Sequence, residues 1–366
     1  MQALAQTPIT EARTRFVALD GLRGVAALAV LALHVPPLDR VVPHGYLAVD
    51  LFFMMSGFVV AHAYEDRLRS GWSLGDFMRV RIVRLWPLYL LGTLIGAAVF
   101  ASAVDGPVMA AALAMMIAAA VLLIPLPLGH DVQIFNLNRP AWSLFFEMAA
   151  NLFYGAFARR LSERVLVLLA AVGACAVVGA FGLAGTGSLG HHGDSLLGGA
   201  ARVLFGFPVG VLFHRLYRSG RLTVRAPIPL ILLVFLVALA LPDLGRLNGW
   251  LDAGVVVLVF PLLVAGAVGA EVKAGTASAF AFLADLSYPL YILHGPILMG
   301  FAQFGGESTA VLLAGGGVSL VAAWAAGRWF DPWGRRALSR FMSFRRRSGP
   351  DGVGSPTART GPADLT

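Results

Sequence analysis

A chain of 366 residues that is 58% apolar and only 13% charged, with a mean hydropathy of +0.77, does not have water as its main solvent. A formal charge of +8 and a pI near 10.3 would suggest nucleic acid in a soluble protein, but here the cations gather in short connections between apolar stretches, as the positive-inside rule requires of cytoplasmic loops, and no nucleic acid is expected. The only cysteine, Cys175, excludes an intramolecular disulfide and a thiolate metal cluster.

Apolar stretches of about 17 to 22 residues recur between Phe16 and Trp329, each long enough to cross a hydrocarbon core of roughly 30 Å. Ten or eleven can be counted. The expectation is an all-α fold, a polytopic transmembrane helix bundle of about ten membrane-spanning helices over residues 16–330. A short cytoplasmic tail (1–15) precedes it, and a basic, largely disordered cytoplasmic tail (331–366) follows. The first stretch, 19–35, lacks a small-residue cleavage site and is expected to remain in the protein.

The basic connections are Arg13 and Arg15; Arg67 through Arg84; Arg159, Arg160 and Arg164; Arg215 through Arg225; and Arg335 through Arg347. All are assigned to the cytoplasmic side of an inner membrane, with both termini. Arg84 and Arg159 then share a side, although three apolar segments (85–100, 108–126 and 142–157) lie between them. An even number must cross, so one of the three is a half-span or re-entrant element.

Polar residues inside spans carry the functional information, because burying them is costly unless they are paired or hydrated. In the first span, LDGLRGVAALAVLALH, Asp20 and Arg23 stand near the cytoplasmic start and His34 eleven residues beyond the arginine. Eleven residues return almost to the same helical face, about 16 Å further along the axis, which suggests a channel with a cation at its mouth and an imidazole deep inside. The alternatives are an arginine that snorkels to the interface and a histidine bonded to a neighbouring helix. In GYLAVDLFFMMSGFVV, Asp50 either orients an imidazole or complements the start of its helix, and Ser56 is expected to bond its own helix.

The loop FMRVRIVRLWP supplies Arg79, Arg81 and Arg84, of which the last two share a face and suit bidentate phosphate contacts, or else only set topology. RPAWSLFFEMAANLFYG places Glu147, Asn151 and Tyr154 along one stripe, a candidate polar lining. Arg202, after a Gly-Gly pair, and His294, in DLSYPLYILHGPI, complete the candidate lining, with interhelical bonding as their structural alternative. His191 and His192 in a glycine-rich outer loop cannot make a zinc site without further ligands.

In this order, LDGLRGVAALAVLALH, GYLAVDLFFMMSGF, RVRIVRLWPLY, WSLFFEMAANLFY and LSYPLYILHGP resemble the acyltransferase 3 family of membrane O-acyltransferases, from Leu19 to about Pro296. The resemblance implies about ten transmembrane helices that move an acyl group, often acetyl, from cytoplasmic acyl-CoA to a hydroxyl, usually of a cell-surface sugar. It matches His34 to the family's proposed catalytic histidine, Arg23 to its partner, Arg81 and Arg84 to the RxxR motif, and Glu147 to the acidic position of WSLxxE. The sequence WSLFFE departs from the WSLSVE pattern of surface-polysaccharide members. The chain is expected to be the form without an attached hydrolase-like domain.

These readings combine into one expectation. Acyl-CoA, as co-substrate with no metal or tightly bound cofactor, docks its phosphates on Arg79, Arg81 and Arg84 and threads past Arg23. His34 is then the general base toward a carbohydrate or lipid-linked sugar hydroxyl, with Asp50 or Glu147 orienting it. Transient acylation of His34 is a variant of the same scheme. The competing expectations are a proton-coupled transporter with a relay through His34, Glu147 and His294, and a flippase for envelope glycolipids.

Overall fold

A computed structural model describes residues 16–127 and 132–347. Helix α1 (Val17–Leu33) ends in a C-cap at His34 and is followed by an irregular link to α2 (Ala48–Arg69). A short turn leads to α3 (Leu74–Ala101), whose first turn Ser73 caps by accepting the Asp76 amide at 3.0 Å. Helix α4 (Gly106–Val121) carries Pro107 in its first turn, where a missing N–H leaves no gap. Then come α5 (Ala141–Phe157) and α6 (Glu163–Ala184), the latter closed by Gly185 in the left-handed region that ends many helices.

Helix α7 (Leu196–Arg218) and the short α8 (Ile228–Leu239) follow. A π-helical segment, Val255–Val259, joins α9 (Asn248–Gly254) to α10 (Phe260–Val268) in one stretch. After α11 (Ala274–Gly305), a second π-helical segment, Ala326–Phe330, joins α12 (Thr309–Ala325) to α13 (Asp331–Arg347). Among the described residues no strand forms, and seven helical stretches are long and apolar enough to cross a membrane. Helices α1 and α5, at 17 residues each, fall just under that length, and α4 and α8, at 16 and 12, are shorter. The chain is an all-α, multi-pass membrane protein.

Arginines fix which ends share a face. Arg159, just past α5, donates from Nε to Leu68 O at 3.3 Å, and Arg215, near the end of α7, donates to Leu161 O at 2.6 Å and to Glu65 at 2.8 Å. The ends of α2, α5 and α7 and the starts of α3 and α6 therefore meet on one basic face. The loop 185–195 and the link 34–47 lie on the opposite face.

The parity conflict between Arg84 and Arg159 is resolved by α4. It descends from the end of α3 only as far as Trp86 and Tyr89, whose side chains donate to Val121 O (3.2 Å) and Ala120 O (2.5 Å). Those carbonyls belong to the last turn of a helix, where side-chain donors supplement or replace the intrahelical bonds; Ala120 O also accepts the Leu123 amide at 2.8 Å. The chain reverses at Leu123, the one non-glycine residue with positive φ among those described. It then climbs back, with Leu137 O so close to Gly96 that a Cβ there would lie 1.7 Å away, and with the Ile134 amide bonded to His191 O at 3.0 Å in the opposite-face loop. Segment 108–126 is thus the element that does not cross.

Two seams organise the bundle. Helices α2 and α7 run parallel with backbones in contact: a Cβ at Gly57 would stand 2.1 Å from Phe207 O, and one at Gly210 2.0 Å from Met54 O. Helices α1 and α11 also run parallel, which places Arg23 beside Ser287 (3.2 Å) and His34 beside His294.

The C-terminal region departs from expectation. Residues 331–347, assigned from composition to a largely disordered tail, form α13, which Arg79 of α3 holds through Ser339 O (3.3 Å) and Ser343 Oγ (2.5 Å). Trp333, Ala337, Leu338 and Phe341 recur at helical spacing between the arginines, and that periodicity is lost when the segment is read by its composition. Residues 1–15 and 348–366, the remaining tail assignments, lie outside the described residues.

Candidate active site

Between α1, α2, α3, α5, α11 and the junction of α12 with α13 lies a cavity of about 560 Å³, within the usual range for small-molecule sites. Five arginines line it (Arg23, Arg81, Arg84, Arg328 and Arg335) against three carboxylates (Glu147, Asp285 and Asp331), an excess of two positive charges. Arg81 is held by Glu147 at 2.7 Å, and the same Glu147 oxygen accepts Ser56 Oγ at 2.8 Å. Arg23 donates to Ser287 Oγ and to Asp20, each at 3.2 Å, and Arg335 to Asp331 at 2.9 Å. Arg84 and Arg328 take part in no ion pair or hydrogen bond among the described residues. Arg84 is exposed to the cavity, so its charge is available to an anion.

The cavity ends where Ser143 of α5 and Tyr291 of α11 share a hydrogen bond of 2.7 Å. One turn beyond Tyr291 on the same face stands His294, and 5.1 Å from its ring, centroid to centroid, stands the ring of His34. Both imidazoles are fixed by main-chain carbonyls. His34 Nδ1 lies 2.8 Å from Val30 O, and His294 Nδ1 lies 2.8 Å from Tyr291 O and 3.1 Å from Leu290 O. A carbonyl only accepts, so Nδ1 carries the hydrogen in each ring and each Nε2 presents a lone pair. His34 is at the opposite-face end of α1 and exposed, which corrects the expectation of an imidazole deep inside the span; His294 is buried.

A model of the acyltransferase domain family matches residues 16–328 of this chain. The chain belongs to that acyltransferase family. It is 38% identical over 174 residues to protein 2 in the picA locus of Rhizobium radiobacter, an alignment covering 44% of this chain and 91% of that protein. It is also 31% identical over 147 residues to the acyltransferase MdmB of Streptomyces mycarofaciens, covering 37% of each. No solved structure matches it. The enzyme is therefore an acyltransferase embedded in a membrane, with a cavity on its basic face and a pair of imidazoles beyond the cavity's closed end.

Of the sequence-derived candidates, Arg23, Arg81, Arg84 and Glu147 line the cavity, and His34 and His294 meet beyond it. The others fall elsewhere. Arg79 turns away to α13, because two residues along a helix are just over half a turn from Arg81. Asp50 gives both oxygens to Arg202, at 2.9 and 2.7 Å, and Arg202 also reaches Leu189 O and Tyr46 O at 2.8 Å each. The two side chains are 1% exposed and form a buried tie between α2, α7 and two outer loops, so Asp50 does not orient His34 and Arg202 does not line the cavity.

Glu147, committed to Arg81 and Ser56, neither orients His34 nor joins the two histidines in a continuous proton relay. Asn151 bonds Glu147 O at 2.8 Å, and Tyr154 packs with Phe77 and Phe207; both are buried away from the cavity.

The opposite face carries a second buried polar group: Asp252 accepts from His44 at 2.7 Å, Tyr46 at 2.8 Å and the Gly187 amide at 2.7 Å. The hydrogen bond to Asp252 holds His44 protonated to higher pH than an ordinary histidine. His191 is pushed the other way, down to about 4, by burial and by the adjacent His192. Its ring lies 4.2 Å from that of His192, centroid to centroid.

Sequence reasoning missed Ser143, Tyr291, Ser287 and Arg335. Ser287 and Tyr291 had a signal: with His294 they follow at intervals of four and three, one face of a helix, inside a motif singled out only for its histidine.

Proposed function

We propose that this membrane acyltransferase takes its acyl group, acetyl in the simplest case, from acyl-CoA bound in the arginine-lined cavity. It passes that group to a hydroxyl of a carbohydrate or lipid-linked sugar arriving from the opposite face. The basic face is cytoplasmic and the membrane is the cell's inner one, because arginine-rich connections are retained on the cytoplasmic side. The observation that carries the reading is the cavity itself: five arginines, two of them without partners among the described residues, stand at one end of a path whose other end approaches two imidazoles with free Nε2 lone pairs.

A CoA pyrophosphate and ribose phosphate supply the negative charge that Arg84, Arg328 and the half-neutralised Arg23, Arg81 and Arg335 would accept, with bidentate geometry favouring arginine over lysine. The pantetheine arm then runs along α1, where Arg23 and His34 are about 16 Å apart by helical rise. His34, open to the opposite face, takes the proton from the acceptor hydroxyl as the oxygen attacks the acyl carbon. General-base help of this kind contributes about 10² to 10⁴ in rate. No tightly bound cofactor enters the scheme.

The test is CoA release from acetyl-CoA by purified protein in nanodiscs, with and without glycan acceptors, for the wild type and His34→Ala. Release by the wild type that His34→Ala lacks supports the reading. Absence of both release and acetyl-CoA binding in the wild type removes it.

A further inference from the structure

Two adjacent imidazoles are one more than general-base catalysis requires, and they differ in a respect that matters chemically. His34 is exposed at the opposite face, whereas His294 is 1% exposed and its Nε2 is buried without any hydrogen-bond partner among the described residues. A buried polar atom left unpaired in an otherwise bonded ring calls for an explanation. Its Nδ1 is held by two carbonyls, so the ring is oriented and kept in the tautomer that leaves Nε2 nucleophilic. It also lies between the other parts of the site: its ring is 6.1 Å from that of Tyr291 at the cavity's closed end and 5.1 Å from that of His34.

We propose that His294 is the acyl-accepting nucleophile of this enzyme and that His34 serves only the acceptor, a division of labour that rests on the acyl-CoA reading above. In the first step, once Tyr291 parts from Ser143, His294 Nε2 attacks the thioester carbonyl carbon. The C–S bond breaks, and CoA leaves as thiolate into the cavity, where it takes a proton from the solvent of the basic face. The ring, still bearing hydrogen on Nδ1, becomes an N-acylimidazolium. In the second step the acceptor oxygen attacks the acyl carbon, its proton passes to His34 Nε2, the C–N bond breaks, and the electron pair returns to His294 Nε2. His34 then releases its proton at the opposite face.

The assignment of roles follows from water. An acylated imidazole is hydrolysed readily in water, so the intermediate survives only where solvent is excluded, which favours His294 over His34. The base must instead meet a polar acceptor delivered from solvent, and only His34 is exposed. Holding the acyl group on His294 between the two steps also lets it pass from the donor's side to the acceptor's without donor and acceptor ever sharing the site.

The experiment is isotope exchange between labelled CoA and acetyl-CoA, without acceptor, by full-length protein in nanodiscs. The wild type should catalyse exchange. His34→Gln should retain exchange while losing transfer to acceptor on the order of 100-fold or more, and His294→Gln should lose both to that extent while still binding acetyl-CoA, which shows that it is folded.

Wild-type protein that shows no exchange yet releases CoA when acceptor is added transfers directly; this overturns the proposal and leaves the acyltransferase reading intact. Exchange lost in His34→Gln, whether or not His294→Gln keeps it, also overturns it. Failure of the wild type to release CoA with any acceptor would instead remove the underlying reading.

Discussion

Arg84 is the residue whose removal separates binding from folding. It lines the cavity without a hydrogen bond or ion pair among the described residues, while Arg23, Arg81 and Arg335 add like charge around it. Replacing it with glutamine therefore removes repulsion from the free enzyme and a charge-assisted contact from the complex. Such a contact is worth about 1.5–3 kcal/mol, which corresponds to a roughly ten- to hundred-fold rise in the acetyl-CoA dissociation constant, with thermal stability unchanged or slightly raised.

Arg81→Gln behaves differently, because it also leaves Glu147 without its 2.7 Å partner. Glu147 is 24% exposed, so the stability loss should be about 1–3 kcal/mol, below that of a fully buried pair. Equilibrium dialysis of labelled acetyl-CoA against nanodisc protein at low and physiological salt measures both variants, and the Arg84 effect should shrink as salt screens it. An unchanged dissociation constant in Arg84→Gln at low salt would refute the cavity as a phosphate site.

Asp50→Asn strands the buried Arg202 and should destabilise the protein by about 3–5 kcal/mol, whereas Asp50→Asn combined with Arg202→Leu should regain much of the melting temperature and keep its catalytic rate, as a structural pair would. Gly57→Ala forces a methyl against Phe207 O and should cost about 3 kcal/mol or more, read as loss of monodisperse protein on extraction. Because the folded-state pKa of His44 lies above its ordinary 6.5, the stability it contributes is complete below pH 6.5 and is lost as pH rises through the higher folded value. Melting curves should show that decline in the wild type and a flatter profile in His44→Gln. In a Cys175→Ser background, Asp105→Cys and Asn136→Cys should both react with an impermeant maleimide from the opposite face; labelling from different sides would disprove the re-entrant path of α4.

The span pattern and much of the cavity were legible because both follow from one-dimensional rules. Apolar runs mark helices, and a cation recurring on a helical face marks a lining, so Arg23, Arg81 and Arg84 could be placed without a structure. Contacts between distant segments were not legible. Asp50 and Arg202 each read as a polar residue in need of a partner, and nothing local says that each is the other's.

Glu147, Asn151 and Tyr154 do share a stripe, but only Glu147 faces Arg81; a turn or two further on, the same stripe meets Phe77 and Phe207. Arg335 was lost for a different reason, since its segment has the overall composition of a tail although Trp333, Ala337, Leu338 and Phe341 recur at helical spacing. Which of three apolar segments turns back was equally hidden, because the deciding partners, Trp86 and Tyr89, sit on another helix.

The pairing of Asp50 with Arg202 also has a consequence for how the chain is made. The two residues are 152 positions apart, so at about 5–20 residues per second the ribosome exposes Asp50 roughly eight to thirty seconds before its partner exists. During that interval α2 holds an acid in the bilayer without its native partner, and α2 cannot yet close against the glycines of α7. The first half of the protein must therefore wait beside the insertion machinery, its carboxyl protonated or sheltered there, and the bundle becomes a stable body only when α7 arrives.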